Sequence, residues 1–186
     1  MGQLPRRMLF LFLDCRRPRG RSWAIMKLDH FTDLDDVLAV GSYPHTPEHI
    51  ISLRDSAGIG AILNLQSDAD LRTRGIDWNV MWPLYTRLGM LTTRVPIRDF
   101  TPSDLARSLD TAVEALSAFR AQGKKVYVHC NAGLNRSPSV VIAFLVATRG
   151  LSVQAAIDWL DERHECVPYP DVLTAWARTH GYPLDG

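Results

Sequence analysis

Cysteine is scarce in this chain: three in 186 residues, Cys15, Cys130 and Cys166, with no C-x-x-C pair among them. Three thiols build no disulfide framework, and the missing pair excludes the usual zinc-ribbon and dithiol redox chemistry. A G-x-x-x-x-G-K-[ST] loop is also missing, so nucleotide binding of that type has no support. The apolar run at residues 8–13 falls short of the roughly 20 residues a membrane span needs. It is short even for a secretory core, and no small-residue cleavage pattern follows it. Repeats and low-complexity tracts are absent too. The net charge is only +1, but residues 1–30 carry seven basic side chains against Asp14 and Asp29, a balance of +5 that leaves −4 for the remainder. Basic residues after that point are scattered rather than arranged in a stripe, which argues against nucleic acid as a partner.

What is present fits one domain. A chain of 186 residues with 46% hydrophobic content buries one ordinary core. Residues 1–25 read as a basic extension, disordered or upstream of a true start at Met26, and residues 26–186 as the domain. Strand and helix signals then alternate. Residues 37–42 read as a strand. Thr46-Pro47-Glu48 supplies an N-cap, a first-turn proline and an acid for a helix near 47–57 stopped by Gly58. Residues 59–65 form a buried strand and 67–74 a short polar helix. Residues 76–91 carry Trp78, Trp82 and Tyr85 without clear periodicity and read as an irregular or partly helical loop, whose aromatics either cover the core or line a site. A strand at 92–97 precedes a helix whose apolar positions Leu105, Leu109, Ala112, Val113, Leu116 and Phe119 step by three and four. A strand at 126–129, a helix up to Gly150, a helix capped by Ser152 and a last one at about 170–180 complete the chain. This alternation predicts an α/β fold with a largely parallel central sheet flanked by helices, and ligands outside the carboxyl ends of the strands.

The organising stretch is Val126-Tyr-Val-His-Cys-Asn-Ala-Gly-Leu-Asn-Arg-Ser-Pro138, a strand, a loop and a helix start. Amides at a helix N-terminus lack intrahelical partners and, with the helix dipole, favour an anion. Asn131, Ala132, Gly133, Leu134 and Asn135 give enough successive amides to curl around one tetrahedral dianion, and Gly133 frees the backbone to do so. The same positive field favours the thiolate of Cys130. Arg136 offers a planar fork for two phosphoryl oxygens. Ser137 can donate to the sulfur, and Pro138 sits where its missing N–H costs nothing. His129, at the strand end, supports the Cys130 geometry rather than carrying a proton.

A phosphate ester also needs a proton donor at its leaving oxygen, usually a carboxylic acid. Asp104 falls three residues after Thr101, a capping-box position, and is expected to accept from helix amides and stay ionised. Asp99 leaves a strand end with no such duty and is the expected acid. Cys166 is either a lone thiol or a partner for oxidised Cys130.

The motif His129-Cys130-x-x-Gly133-x-x-Arg136-Ser137-Pro138 resembles the active-site loop of the cysteine-dependent phosphatases, in their dual-specificity branch. The resemblance implies the dual-specificity phosphatase fold and a phosphocysteine intermediate, with Asp99 as general acid and no metal or cofactor. Gly41-Ser-Tyr-Pro44, Ile62-Leu-Asn-Leu-Gln-Ser-Asp-Ala-Asp-Leu71 and Val95-Pro-Ile-Arg-Asp-Phe100 are similar to the laforin and plant starch phosphatase group, which removes phosphate from glucans. Asn135 departs from that group's glycine and resembles ordinary dual-specificity phosphatases. Phe100 corresponds to an aromatic of the group's glucan channel, or else staples the following helix. The expected partner is thus a phosphoglucan or a phosphoprotein, the alternative being a non-catalytic phosphate-binding module. A reactive thiolate implies a reducing, intracellular setting, the cytoplasm first.

Overall fold

In the computed structural model, which describes residues 28–184, the strands form one sheet in the order β1-β2-β5-β3-β4. These are β1 (Thr32–Asp33), β2 (Leu38–Gly41), β3 (Ala61–Gln66), β4 (Leu91–Ile97) and β5 (Val126–His129). All neighbours pair in parallel except β1, which runs antiparallel to β2. The expected α/β architecture is therefore present. The basic extension at 1–25, the run at 8–13 and Cys15 lie outside the described residues.

Side chains alternate across a strand, and here both alternations are apolar because both faces are covered. Leu38, Val40, Leu63, Leu65, Val126 and Val128 join the core beneath α4 (Pro102–Ala121), α5 (Arg136–Arg149), α6 (Val153–Asp161) and α7 (Pro170–His180). Ala39, Ile62 and Tyr127 point the other way, against Ile50 and Leu53 of α1 (Pro47–Asp55) and Tyr85 of α3 (Trp78–Arg87). Every apolar position expected on α4 is buried. Thr46 and Ser152 accept from the amides of His49 and Ala155 as N-caps.

The structure sharpens three local points. Residues 76–91 take the partly helical alternative: Asp77 accepts from the Asn79 amide and starts α3, which tolerates Pro83 within it. The two residues of β1 carried too little pattern to read. Asp104 does not accept from helix amides, and Thr101 makes no side-chain cap. Asp104 instead takes the Arg98 guanidinium in a fork at 2.8 and 3.0 Å, the Arg98 amide at 3.0 Å, and Arg107. The Arg98 side chain is the main cause holding its pKa well below the carboxylate range, so it is ionised as expected but for another reason.

Candidate active site

The carboxyl ends of β2, β3, β4 and β5 gather at one edge of the sheet, with β5 in the middle. Cys130 leaves β5 and is 2% exposed. Ser137 Oγ lies 3.3 Å from Cys130 Sγ, as a donor to the sulfur requires. Gly133 has φ of 81°, and a Cβ there would meet the Gly41 carbonyl carbon at 2.5 Å. Its loop thus needs glycine twice, for the dihedral and for close approach to the end of β2.

Asn135 is the N-cap of α5, yet its side chain makes no cap. Its Nδ2 donates instead to the Val167 carbonyl at 2.5 Å. A favoured capping residue whose side chain is turned to Val167 leaves the first amides of α5 without a side-chain cap, open to an anion.

Arg136 is 1% exposed, so its charge must be paired to be tolerated. Nη1 donates to Asp70 Oδ2 at 2.6 Å and to the Ile97 carbonyl at 2.8 Å, and Nη2 donates to Asp99 Oδ2 at 2.7 Å. Asp99 therefore has a structural partner that sequence reasoning denied it, and that partner is the loop arginine. Phe100 follows with φ of 52° and 87% exposure. A left-handed phenylalanine costs about 1–3 kcal/mol and persists only where its surroundings fix it. The Asp104 fork on Arg98 and the Thr101 hydroxyl bonded to the Asp99 carbonyl fix this turn. Phe100 is consequently no staple on α4; its ring stands in solvent beside Asp99.

Asp70, passed over as part of a polar helix, proves central. It lies in α2 (Asp68–Thr73), whose capping box with Ser67 orients its carboxylate. Oδ2 takes Arg136 and Ser67, while Oδ1 takes Asn131 Nδ2 at 2.6 Å, so one carboxylate ties both ends of the loop. Burial works against its charge, but Arg136 and the Ser67 hydrogen bonds outweigh it and hold its pKa below the ordinary value. Gln66 Nε2 completes the bracing by donating to Asn131 Oδ1 at 2.8 Å. The spacing Ser67-x-x-Asp70 was the available signal, though it announces a cap and not the arginine.

His129 is fully buried, with Nδ1 3.3 Å from the Cys130 carbonyl and Nε2 without a partner. Burial pushes its pKa down to about 4. Above the ordinary value of 6.5 both folded and unfolded chains hold it neutral; between 6.5 and about 4 only the unfolded chain takes the proton. Stability should therefore fall as pH drops through this window, by roughly 2–3 kcal/mol from this group alone near pH 4.5. Urea unfolding at neutral pH and near pH 4.5 checks it: His129→Phe should lose clearly less stability on acidification than the parent. Equal losses would mean that His129 is not the acid-sensitive group.

Beside the loop, a groove of about 490 Å³ is lined by Tyr43, His45, Arg74, Ile76 and Met81 among others. Tyr43 stacks on His45, Arg74 lies over the Tyr43 ring, and the Tyr43 amide donates to the Asn131 carbonyl at 3.2 Å. Trp82 is 55% exposed, whereas Tyr85 is buried in the core. Tyr85, with Trp78 packed against its cluster, takes the core duty.

Cys130, the glycine-dependent loop and the paired Arg136 thus meet at the carboxyl end of the central strand. The chain belongs to the dual specificity phosphatase catalytic-domain family, which matches residues 40–174. It is 35% identical over 142 residues to "Phosphoglucan phosphatase DSP4, amyloplastic" of Castanea sativa, covering 75% of this chain and 38% of that protein. It is 34% identical over 114 residues to dual specificity protein phosphatase 12 of Homo sapiens, covering 61% of this chain and 30% of that protein. The chain thus spans well under half the length of either relative. The crystal structure of kinase associated phosphatase shares the fold, with a TM-score of 0.67 at 20% identity, over 82% of this chain and 93% of that one.

Proposed function

We propose that this domain hydrolyses phosphate monoesters through a phosphocysteine and that its substrate is a phosphorylated glucan. Cys130 attacks phosphorus in line, forming the S–P bond as the bond to the leaving oxygen breaks, and Asp99 in its acid form gives that oxygen its proton. Loop amides and Arg136 stabilise the charge spread over the equatorial oxygens. Water then attacks the phosphocysteine, its proton passes to Asp99, and the sulfur leaves as thiolate with Ser137 Oγ beside it. Substrate phosphate takes Arg136 Nη2 from Asp99, which frees the carboxyl to face the leaving group. Asp70, held by more donors and less exposed, keeps Arg136 in place and stays charged.

The observation that carries the glucan reading is the extent of likeness to the plant phosphoglucan phosphatase, which runs further along this chain than the likeness to the human protein phosphatase. The exposed Phe100 and the Tyr43 groove support it, because sugar rings stack on aromatic faces. Asn135 favours the second reading, a phosphatase for phosphotyrosine and phosphoserine/threonine. Phosphate release from phosphorylated starch or glycogen should exceed that from phosphopeptides at matched enzyme concentration. A strong preference for peptides would sink the glucan reading and leave the chemistry standing.

The nucleophilic thiolate argues for a reducing compartment. One relative's name places that relative in the amyloplast, so the cytoplasm has no special claim. Among the described residues no helix is long and apolar enough to cross a membrane.

A further inference from the structure

His164 lies 31 residues beyond Gly133, in the irregular segment after α6, and only 4% of it is exposed. Its Nε2 is 2.7 Å from the Gly133 carbonyl oxygen, and its Nδ1 is 2.8 Å from Thr32 Oγ1 on β1. A carbonyl oxygen only accepts, so Nε2 carries the hydrogen; the neutral ring then accepts at Nδ1, where the Thr32 hydroxyl donates. Three residues on, the Val167 amide donates to the Leu134 carbonyl at 2.7 Å, and the Val167 carbonyl accepts from Asn135 Nδ2. The segment thus holds two consecutive carbonyls of the anion loop.

A trans peptide unit is planar, with its C=O and the following N–H pointing in opposite directions. Pulling the Gly133 and Leu134 carbonyls toward residues 164–167 turns the amides of Leu134 and Asn135 away from that segment. On its other side Gly133 packs so closely on the end of β2 that a Cβ there would meet the Gly41 and Ser42 backbone.

We propose that His164 is a positioning residue for the phosphate site: with Thr32 fixing its tautomer, it holds the Gly133–Leu134 peptide so that the Leu134 amide faces the bound oxyanion. It acts through backbone and touches no substrate. Burial keeps its pKa below the ordinary histidine value, in keeping with a neutral ring of one tautomer. The proposal rests on the phosphatase reading only for its catalytic consequence, not for oxyanion binding.

The test compares two amide substitutions of the full chain. His164→Gln can place an N–H near the former Nε2 and keep the bond to Gly133, whereas His164→Asn reaches only as far as Nδ1. Binding of inorganic tungstate is measured by calorimetry, with kcat and KM for an aryl phosphate and Tm alongside. Loss of the bond in the Asn variant should weaken tungstate about tenfold and lower kcat/KM by a similar factor. The Gln variant should stay within about threefold of the parent whatever its Tm. Equal tungstate affinity in the two variants, both parent-like or both weakened, would overturn the proposal. If the Asn variant does not fold, Thr32→Val carries the test: releasing Nδ1 should weaken tungstate by about threefold, and unchanged affinity would refute the assignment. Tungstate binding separates this outcome from failure of the enzymatic reading, which would appear as a parent protein that binds the oxyanion but turns nothing over.

Discussion

Cys130→Ser should abolish turnover of an aryl phosphate, by roughly 10⁴-fold or more, while leaving the fold and oxyanion affinity nearly intact. The hydroxyl is smaller than the thiol and makes a poor nucleophile where no base stands ready to take its proton. Ser137 donates toward position 130, and the buried His129 turns Nδ1 to the Cys130 carbonyl rather than to the sulfur. The amides and Arg136 that bind the anion are untouched by the change. Steady-state kinetics, tungstate calorimetry and Tm on the same preparation separate these quantities. Unchanged turnover would bring down the whole phosphocysteine assignment, and the alternative of a silent phosphate-binding module would follow if the parent itself were inactive.

Asp99→Asn should cost about 10²–10⁴-fold in kcat/KM with an alkyl phosphate, whose leaving oxygen needs a proton, and much less with a good phenolate leaving group. The ion pair with Arg136 adds a second signature. Asp99 Oδ2 neutralises part of the guanidinium in the free enzyme, so removing its charge should tighten inhibition by inorganic phosphate even as the rate falls. Leaving-group dependence together with tighter product inhibition would mark Asp99 as acid and counter-charge at once. Equal losses with both leaving groups would take the acid role away from it.

The parts legible in the sequence are those in which local chemistry and fold agree. The three-and-four stepping on α4, the caps at Thr46 and Ser152, and the glycines after α5 and α7 each act within a few residues. The loop from Cys130 to Arg136 was readable for the same reason. What escaped depends on distance in the chain. Asp70 meets Arg136 across 66 residues and His164 meets Gly133 across 31, and neither pairing leaves a local trace. Asp104 shows the opposite error: a sound local rule predicted a capping box, but the Arg98 fork, held where the strand exits beside the helix, outcompeted it. Asn135 stands out in sequence only as a departure from a glycine, while its side chain serves the Val167 bridge.

The long reach of these contacts also bears on how the protein folds. The anion cradle draws on Gly41 at the end of β2, Asp70 after β3, Ile97 at the end of β4, the loop itself and Val167 beyond α6. Such non-local closures form late, after most of the chain entropy has been spent, so partly folded forms lack the site. Ligation then acts on the unfolding equilibrium of the domain as a whole: an oxyanion at a hundred times its Kd adds about 2.7 kcal/mol of global stability, as any ligand confined to the native state does.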